Sequence, residues 1–137
     1  MSYLGRIQKY KGLDQPIGIL PEFKDLFFLI IGEDAGDQKR LEHFADQLKV
    51  RDRVLFTSRG SEEEKFLLLE QSRIFIFPSE WEAFGISLLE AMSKGCTVIA
   101  TKTEGGNYLI SKENGFLYSF GNIEELKQIV QELLKKK

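Results

Sequence analysis

The fold is decided by residues 77–101, which read FPSEWEAFGISLLEAMSKGCTVIAT. An apolar strand is expected to end at Pro78, and a polar loop containing Glu82 follows it. We expect a helix to begin near Phe84–Gly85 and to stop at Gly95, since glycine adopts the backbone conformations that begin and end helices. A second apolar run follows directly. Strand, helix and strand in this order predict a right-handed crossover between two parallel strands.

The same alternation extends over the whole chain. Six short apolar runs are separated by amphipathic stretches, and most of the runs are continuous, which is typical of strands buried on both faces of a parallel sheet. We therefore predict an α/β fold, a Rossmann-like doubly wound parallel sheet of about six strands with helices on both faces. The expected strands are Ser2–Ile7, Leu26–Ile31, Val54–Thr57, Ile74–Phe77, Thr97–Thr101 and Gly115–Tyr118.

Helices are predicted between these strands. Ser61 and Glu64 form a capping-box pattern ahead of one helix, and Asn122 can cap the last helix. Prolines interrupt residues 12–24, so a short or irregular helix is expected there. The basic end, Lys135–Lys137, is expected to be a solvated helix terminus. A further helix is indicated by apolar residues at i, i+3, i+4 and i+7, namely Leu41, Phe44, Ala45 and Leu48.

Length and composition indicate one globular domain, residues 1–137. The chain is long enough for a core and too short for two domains, with 42% hydrophobic and 29% charged residues. The net charge of −2 attracts neither nucleic acid nor an anionic membrane, so no nucleic-acid partner is expected. The longest apolar run, Leu26–Ile31, is far shorter than the ~20 residues of a membrane span. With no signal peptide pattern and a single cysteine, Cys96, expected in the core, a cytoplasmic location is predicted.

Candidate ligand-binding groups lie in and around the helix of residues 77–101. Gly85 allows a ligand to approach the backbone closely, and the free N–H groups of the first helical turn favour an anion. Glu82 and Glu90 are eight residues apart, or ~12 Å along a helix. That separation suits two hydroxyl-bearing groups with a diphosphate between them better than a single metal ion. His43 has no Cys or His partner at ligand spacing, so no metal site is expected.

The stretch from Pro78 to Gly95 resembles the Glu-x7-Glu signature of retaining GT-B glycosyltransferases. This family includes sucrose synthases, phosphatidylinositol mannosyltransferases and many lipopolysaccharide and capsule transferases. Four further segments resemble motifs of the same family, and they follow the family's order along nearly the whole chain. They are Gly5–Gly12, Ile30–Glu33, Asp52–Phe56 and Asn114–Leu117. Several motifs in order are much more specific than any one of them.

The resemblance implies a catalytic set of Arg6, Lys11 and Glu82. Arg6 and Lys11 would bind the donor diphosphate and stabilise the leaving nucleoside diphosphate, because cations aimed at developing phosphoryl charge lower the barrier. Glu82 would contact hydroxyl groups of the donor sugar. The substrate implied is a nucleoside-diphosphate sugar, with retention of anomeric configuration and with neither a cofactor nor a metal ion.

The resemblance implies further donor-binding residues. Backbone N–H groups of Phe84, Gly85 and Ile86 would face the sugar and phosphates, and Glu90 would accept hydrogen bonds from the ribose hydroxyls. Arg59 would lie near the base. These residues complete the donor-binding set that Arg6, Lys11 and Glu82 begin.

The resemblance also implies a missing half. GT-B enzymes have two Rossmann-like domains with the active site between them, and this chain resembles the C-terminal, donor-binding domain. An N-terminal acceptor-binding domain or partner subunit is expected as its partner, and any membrane contact would come through that part. The chain also departs from the family pattern. The family often has a Glu after the paired glycines in the loop that follows the fifth strand, whereas here Glu104 precedes Gly105 and Gly106.

Two other functions remain open on the sequence. A non-catalytic nucleotide-sugar-binding or assembly module would fit the missing half. A sugar-nucleotide epimerase half would fit the architecture, although the Glu-x7-Glu pattern after Pro-Ser argues against it. Activity with a co-expressed N-terminal partner would separate an enzyme domain from a binding module.

Overall fold

The structure, a computed structural model, describes residues 1–135 and has a single six-stranded sheet in which every strand pairing is parallel. The spatial strand order is β3-β2-β1-β4-β5-β6. This confirms the predicted doubly wound α/β fold. The strands are β1 (Ser2–Leu4), β2 (Phe28–Ile31), β3 (Val54–Thr57), β4 (Ile74–Phe77), β5 (Thr97–Thr101) and β6 (Gly115–Tyr118).

Six α-helices cover the sheet in two layers. α1 packs against α2 and α6, and α3 packs against α4, as expected when the chain winds outward from the centre in both directions. The helices are α1 (Asp14–Ile19), α2 (Gln38–Gln47), α3 (Glu62–Glu70), α4 (Ile86–Ser93), α5 (Glu104–Leu109) and α6 (Ile123–Lys135). Lys136 and Lys137, part of the predicted basic helix end, lie outside the described residues.

The core lies between the sheet and these helices. All four residues of β4 are buried, and the aromatic rings of Phe75 and Phe77 stack with centroids 6.3 Å apart. Cys96 is buried among apolar residues, as predicted, and its thiol donates to the Leu69 carbonyl at 3.1 Å. Full burial of an aliphatic or aromatic side chain contributes roughly 1.5–3 kcal/mol. The central strands therefore hold the sheet together most strongly.

Two strand boundaries differ from the prediction. β1 ends at Leu4 rather than at Ile7, because the chain turns after Gly5 and Ile7 forms an isolated bridge to Asp34. β2 begins at Phe28 rather than at Leu26, since the Leu26 carbonyl is taken up by the guanidinium of Arg53 at 2.9 Å. The apolar character of Ile7 and Leu26 reflects burial in the core outside the sheet.

The predicted helix signals are confirmed, and one helix was not predicted. Ser61 accepts a hydrogen bond from the Glu64 N–H at 3.1 Å, and Asn122 accepts one from the Glu125 N–H at 3.2 Å. α1 is short and continues into a 3-10 turn, as the prolines indicated. The segment after β5 was predicted as a loop, but it forms α5, which is capped by Thr103.

Candidate functional site

A cavity of about 270 Å³ opens at the carboxyl edge of the sheet. It lies beside β1 and α4, where the strand order reverses and where doubly wound folds bind their ligands. The volume is close to the lower end of small-molecule sites, roughly 300 Å³, so it suits part of an extended ligand. Its lining residues are Leu4, Gly5, Arg6, Ile31, Gly32, Glu33, Arg59, Ser87 and Glu90.

Two glycines form a tightly packed wall of this cavity. A Cβ atom added to Gly32 would lie 1.8 Å from the Gly5 carbonyl oxygen, and one added to Gly5 would lie 2.5 Å from the Tyr3 hydroxyl oxygen. A side chain at position 32 would push the ends of β1 and β2 apart, and one at position 5 would displace the Tyr3 ring. The glycines therefore allow a bare backbone surface at the carboxyl edge, which a ligand can approach closely.

Arg6 lines the cavity, and its main chain is held by a buried residue of β1. The buried Tyr3 hydroxyl donates to the Arg6 carbonyl at 2.8 Å. Burial raises the pKa of Tyr3, and the nearby Glu82 raises it further, so the hydroxyl remains a donor at neutral pH. Tyr3 thereby holds the backbone of Arg6 in place, while the side chain of Arg6 stays exposed to solvent.

The start of α4 borders the same cavity. Gly85 precedes the helix with φ 76° and ψ 49°, a left-handed conformation that glycine adopts without strain. Ser87 in the first turn lines the cavity. The first N–H groups of a helix have no partner within it and carry the positive end of its dipole, so this edge of the cavity can receive an anion.

The side chains of Phe84 and Ile86 point away from this cavity. They are 77% and 69% exposed and line a separate apolar hollow of about 620 Å³ between α4 and α5. The predicted role of Phe84 and Ile86 concerns their backbone N–H groups, and it stays a prediction.

Glu90 reaches the cavity from the second turn of α4. Its Oε2 accepts a hydrogen bond from the ammonium of Lys65 on α3, and its side chain is 23% exposed. Lys65 itself is fully buried and also donates to Glu62 at 2.6 Å. Burial lowers the pKa of Lys65, but the hydrogen bonds to Glu62 and Glu90 outweigh that effect and raise it above the usual value.

Arg59 also lines the cavity. Its guanidinium pairs with Glu62, which in turn pairs with Lys65. These two cations hold the pKa of the Glu62 carboxyl below its usual value. Glu62 is exposed at the start of α3 and connects these two basic side chains.

Lys11 and Glu82 lie together but outside the cavity lining. The Lys11 ammonium pairs with Glu82 Oε2 at 3.1 Å, and the two side chains are 11% and 20% exposed. The Glu82 carbonyl also accepts the Gly105 N–H at 2.9 Å. Glu82 precedes the left-handed Gly85 and lies four residues before α4, so the estimate of two helical turns between Glu82 and Glu90 is wrong. The loop, and not the rise of a helix, sets the separation of the two carboxylates.

The glycine pair after β5 packs closely against this loop. A Cβ atom on Gly106 would lie 2.2 Å from the Thr101 carbonyl oxygen, and one on Gly105 would lie 3.0 Å from the backbone of Phe84. Close packing of α5 therefore requires both glycines. Glu104 is exposed beside the apolar hollow and away from the cavity lining.

Residues 1–135 contain neither a candidate metal site nor a candidate membrane span. No three His, Cys, Asp or Glu side chains there are grouped so that they could hold a metal ion. None of the described helices is both long enough and apolar enough to cross a membrane. His43 is exposed on α2.

The sheet order and the cavity at its switch point define the class, a Rossmann-like domain matching the C-terminal domains of GT-B glycosyltransferases. The family model for glycosyl transferases group 1 matches residues 1–137, and the chain therefore belongs to that family. Among sequence relatives, an uncharacterized glycosyltransferase of Haemophilus influenzae is 29% identical over 129 residues, covering 90% of this chain and 36% of the relative. The lipopolysaccharide core biosynthesis glycosyltransferase LpsD of Rhizobium meliloti is 29% identical over 114 residues, covering 83% of this chain and 32% of LpsD. The chain thus spans about a third of the length of these curated relatives.

Solved structures are also similar to this chain. The Anabaena protein HepE in complex with UDP-glucose superposes with a TM-score of 0.89 at 26% identity, covering 98% of this chain and 38% of HepE. The C-terminal domain of LpcC, a glycosyl transferase group 1 protein from Francisella tularensis, superposes with a TM-score of 0.84 at 26% identity, covering 98% of this chain and 75% of that domain.

The structure therefore brings Arg6, Arg59 and Glu90 onto one cavity and pairs Lys11 with Glu82 beside it. Two residues of the site were missed on the sequence. Tyr3 was assigned only to a strand, and Lys65 was not considered. A signal for Lys65 exists in the sequence, because it lies four residues before the buried Leu69 and so falls on the inward face of α3.

Proposed function

We propose that this chain is the donor-binding domain of a retaining glycosyltransferase, which moves a sugar from a nucleoside-diphosphate sugar to an acceptor. The proposal rests above all on the cavity that Arg6, the start of α4 and Glu90 line together. Family membership and the UDP and UDP-glucose complexes of HepE support it.

Within this proposal the diphosphate lies against Arg6 and the first turn of α4. A fixed cation and the free N–H groups of a helix start both favour phosphate oxygens, and they stabilise the leaving diphosphate as its charge grows. Lys11, the second cation of the proposed catalytic set, is held beside Glu82 by their ion pair. In this arrangement Glu82 accepts hydrogen bonds from donor-sugar hydroxyls, and Lys11 balances its charge.

The ribose and base occupy the other end of the cavity in this proposal. A carboxylate is a strong acceptor for a pair of neighbouring hydroxyl groups, and Glu90 supplies it on the cavity wall. Arg59, which also lines the cavity, contacts the base in this proposal. The donor therefore extends from Arg59 past Glu90 to Arg6, and the sugar continues toward Glu82.

Catalysis in this proposal needs a second domain or subunit that binds the acceptor. We further propose that the transfer is independent of metal ions and takes place in the cytoplasm, where the buried Cys96 remains a thiol. A non-catalytic nucleotide-sugar-binding module is the competing function. Co-expression with an N-terminal domain of a full-length relative separates the two, since sugar transfer supports the enzyme and donor binding without transfer supports the module.

Calorimetric titration with UDP, GDP and ADP and with their sugar conjugates, in buffer containing EDTA, tests the donor site. We expect one of the three nucleotides to bind with the chelator present. Arg6→Ala should weaken binding through the diphosphate, and Glu90→Ala through the ribose, each by about tenfold or more, the effect of one charged hydrogen bond. Lys112→Ala and Glu113→Ala remove the same charges from exposed positions outside the cavity lining and should leave affinity unchanged. Failure of all three nucleotides to bind would refute the proposal.

A further inference from the structure

Lys65 is a fully buried charged residue at the back of the cavity. Its ammonium donates to Glu62 on its own helix and to Glu90 on α4, and it lies 4.6 Å from the centroid of the Phe66 ring. Taking an ammonium out of water is unfavourable unless the charge is paired. The two carboxylates offset that cost, and the pair with Glu90 joins α3 to α4.

The pairs form a continuous row of alternating charges that begins and ends at residues lining the cavity. Arg59 pairs with Glu62, Glu62 with Lys65, and Lys65 with Glu90. Both ends of the row, Arg59 and Glu90, line the cavity, and the middle members do not. Lys65 therefore acts on a ligand through Glu90 and not by direct contact.

The contact of Lys65 with Glu90 fixes one carboxylate oxygen. A carboxylate has two oxygens with about four acceptor positions. An ammonium bound to Oε2 leaves other acceptor positions of the carboxylate free and sets the direction in which they face. Two adjacent hydroxyl groups of a ribose need acceptors in a fixed direction. A freely rotating carboxylate would lose conformational entropy on binding them, which would reduce the affinity.

We propose that Lys65 is a positioning residue that orients the Glu90 carboxylate toward the vicinal hydroxyls of a ribose, and so makes the cavity select ribonucleotides over 2′-deoxyribonucleotides. This inference rests on the proposed function, because it assumes that a nucleoside diphosphate occupies the cavity. The role resembles that of the outer partners that orient the ligating side chains of metal sites.

The test compares a ribonucleotide with its 2′-deoxy analogue by calorimetry. The probe is whichever of UDP, GDP and ADP binds the wild-type chain most tightly. We expect the wild type to prefer the ribonucleotide by about 10- to 100-fold, the range of one hydrogen bond to a charged group. In Lys65→Met, which replaces the ammonium by an apolar chain of similar length, the preference should fall below about threefold.

Lys94→Met is the matched control. The Lys94 ammonium also lies 4.6 Å from the Phe66 ring, but it pairs with Glu70 and not with Glu90. Its replacement should leave the ribose preference intact. In a Glu90→Gln background, Lys65→Met should cause no further loss, because the group through which it acts has been changed.

A second measurement needs no variant at position 65. In the 15N-labelled wild-type protein, the side-chain ammonium signal of Lys65 should shift on saturation with the ribonucleotide and shift much less with the 2′-deoxy analogue. The inference is overturned if folded Lys65→Met keeps the full preference, if its effect adds to that of Glu90→Gln, or if both nucleotides shift the Lys65 signal equally. Absence of binding by every nucleotide to the wild type would instead overturn the proposed function itself.

Discussion

Gln15 connects three loops at the carboxyl edge of the sheet through one buried amide. Its Oε1 accepts the Tyr118 hydroxyl at 2.9 Å and the Gly121 N–H at 3.0 Å. Its Nε2 donates longer hydrogen bonds to the carbonyl oxygens of Pro78 at 3.3 Å and Gly12 at 3.4 Å. Gln15 thereby ties the loops that follow β1, β4 and β6, and the first two of these loops carry Lys11 and Glu82.

The substitution Gln15→Leu keeps a similar volume and removes these hydrogen bonds. Tyr118 is fully buried, and burial raises the pKa of its hydroxyl, which stays protonated and loses its acceptor. A buried donor left without a partner costs roughly 1–3 kcal/mol, and the partly buried Gly121 N–H adds about 1 kcal/mol. We expect a total loss of about 2–4 kcal/mol in the free energy of unfolding. For a domain of this size that lowers Tm by about 6–20 °C.

Urea unfolding followed by circular dichroism, together with thermal melting, measures the effect. Tyr118→Phe is the control, because it removes one hydrogen bond and leaves Oε1 of Gln15 bound to Gly121, so it should cost about 0.5–1.5 kcal/mol. The double variant should cost less than the sum of the two single variants. A cost of Gln15→Leu below about 0.5 kcal/mol, or strict additivity in the cycle, would refute this reasoning.

Three further predictions concern the loops and helix ends near the site. Gly85→Ala should lower the free energy of unfolding by about 1–2 kcal/mol, because φ is 76° there, and it should also weaken nucleotide binding. Gly121→Ala, at φ 83° with open space around its Cβ, should lower stability similarly without changing the affinity for nucleotide. Ser61→Ala should lower the free energy of unfolding by about 1 kcal/mol through the lost helix cap, measured by urea unfolding; an unchanged midpoint would contradict the cap. Backbone N–H groups of residues 38 and 36 hold the pKa of Asp34 below its usual value. The stability that Asp34 contributes is therefore complete above its unfolded pKa of about 3.9 and is lost as the pH falls through the lower folded value. Asp34→Ala should accordingly flatten the acid limb of a stability profile recorded between about pH 5 and 2, and an unchanged limb would contradict this assignment.

The sheet could be predicted from sequence because its signal is local. Each strand is a continuous apolar run, and the runs alternate with helical patterns, so strand number and parallel pairing follow from the chain itself. Strand ends were less certain, since Ile7 and Leu26 are apolar for reasons of core burial and not of strand pairing. α5 was not predicted because its glycine pair indicates a loop. Here the two glycines lie within a helix, where close packing against Thr101 and Phe84 requires them.

The site could be predicted only in part, because some of its contacts depend on packing between distant parts of the chain and not on a local pattern. Arg6 and Glu90 belong to recognisable motifs, and the fold brings both to one cavity. Lys65 belongs to a run of charged residues that is typical of a solvated helix start. Its burial depends on the packing of α3 against α4. Gln15 likewise joins residues about a hundred positions away in the chain, which no local pattern reveals.

Mapping of backbone amide shifts tests most directly whether the cavity beside β1 and α4 holds a nucleoside diphosphate. The 15N-labelled chain would be titrated with whichever of UDP, GDP and ADP binds in the calorimetric experiment. We expect the largest shifts at Gly5, Arg6, Gly32 and residues 85–87, with small shifts at residues 111–113 outside the cavity lining. Saturating nucleotide that leaves the cavity amides unmoved, or moves residues 111–113 most, would contradict it.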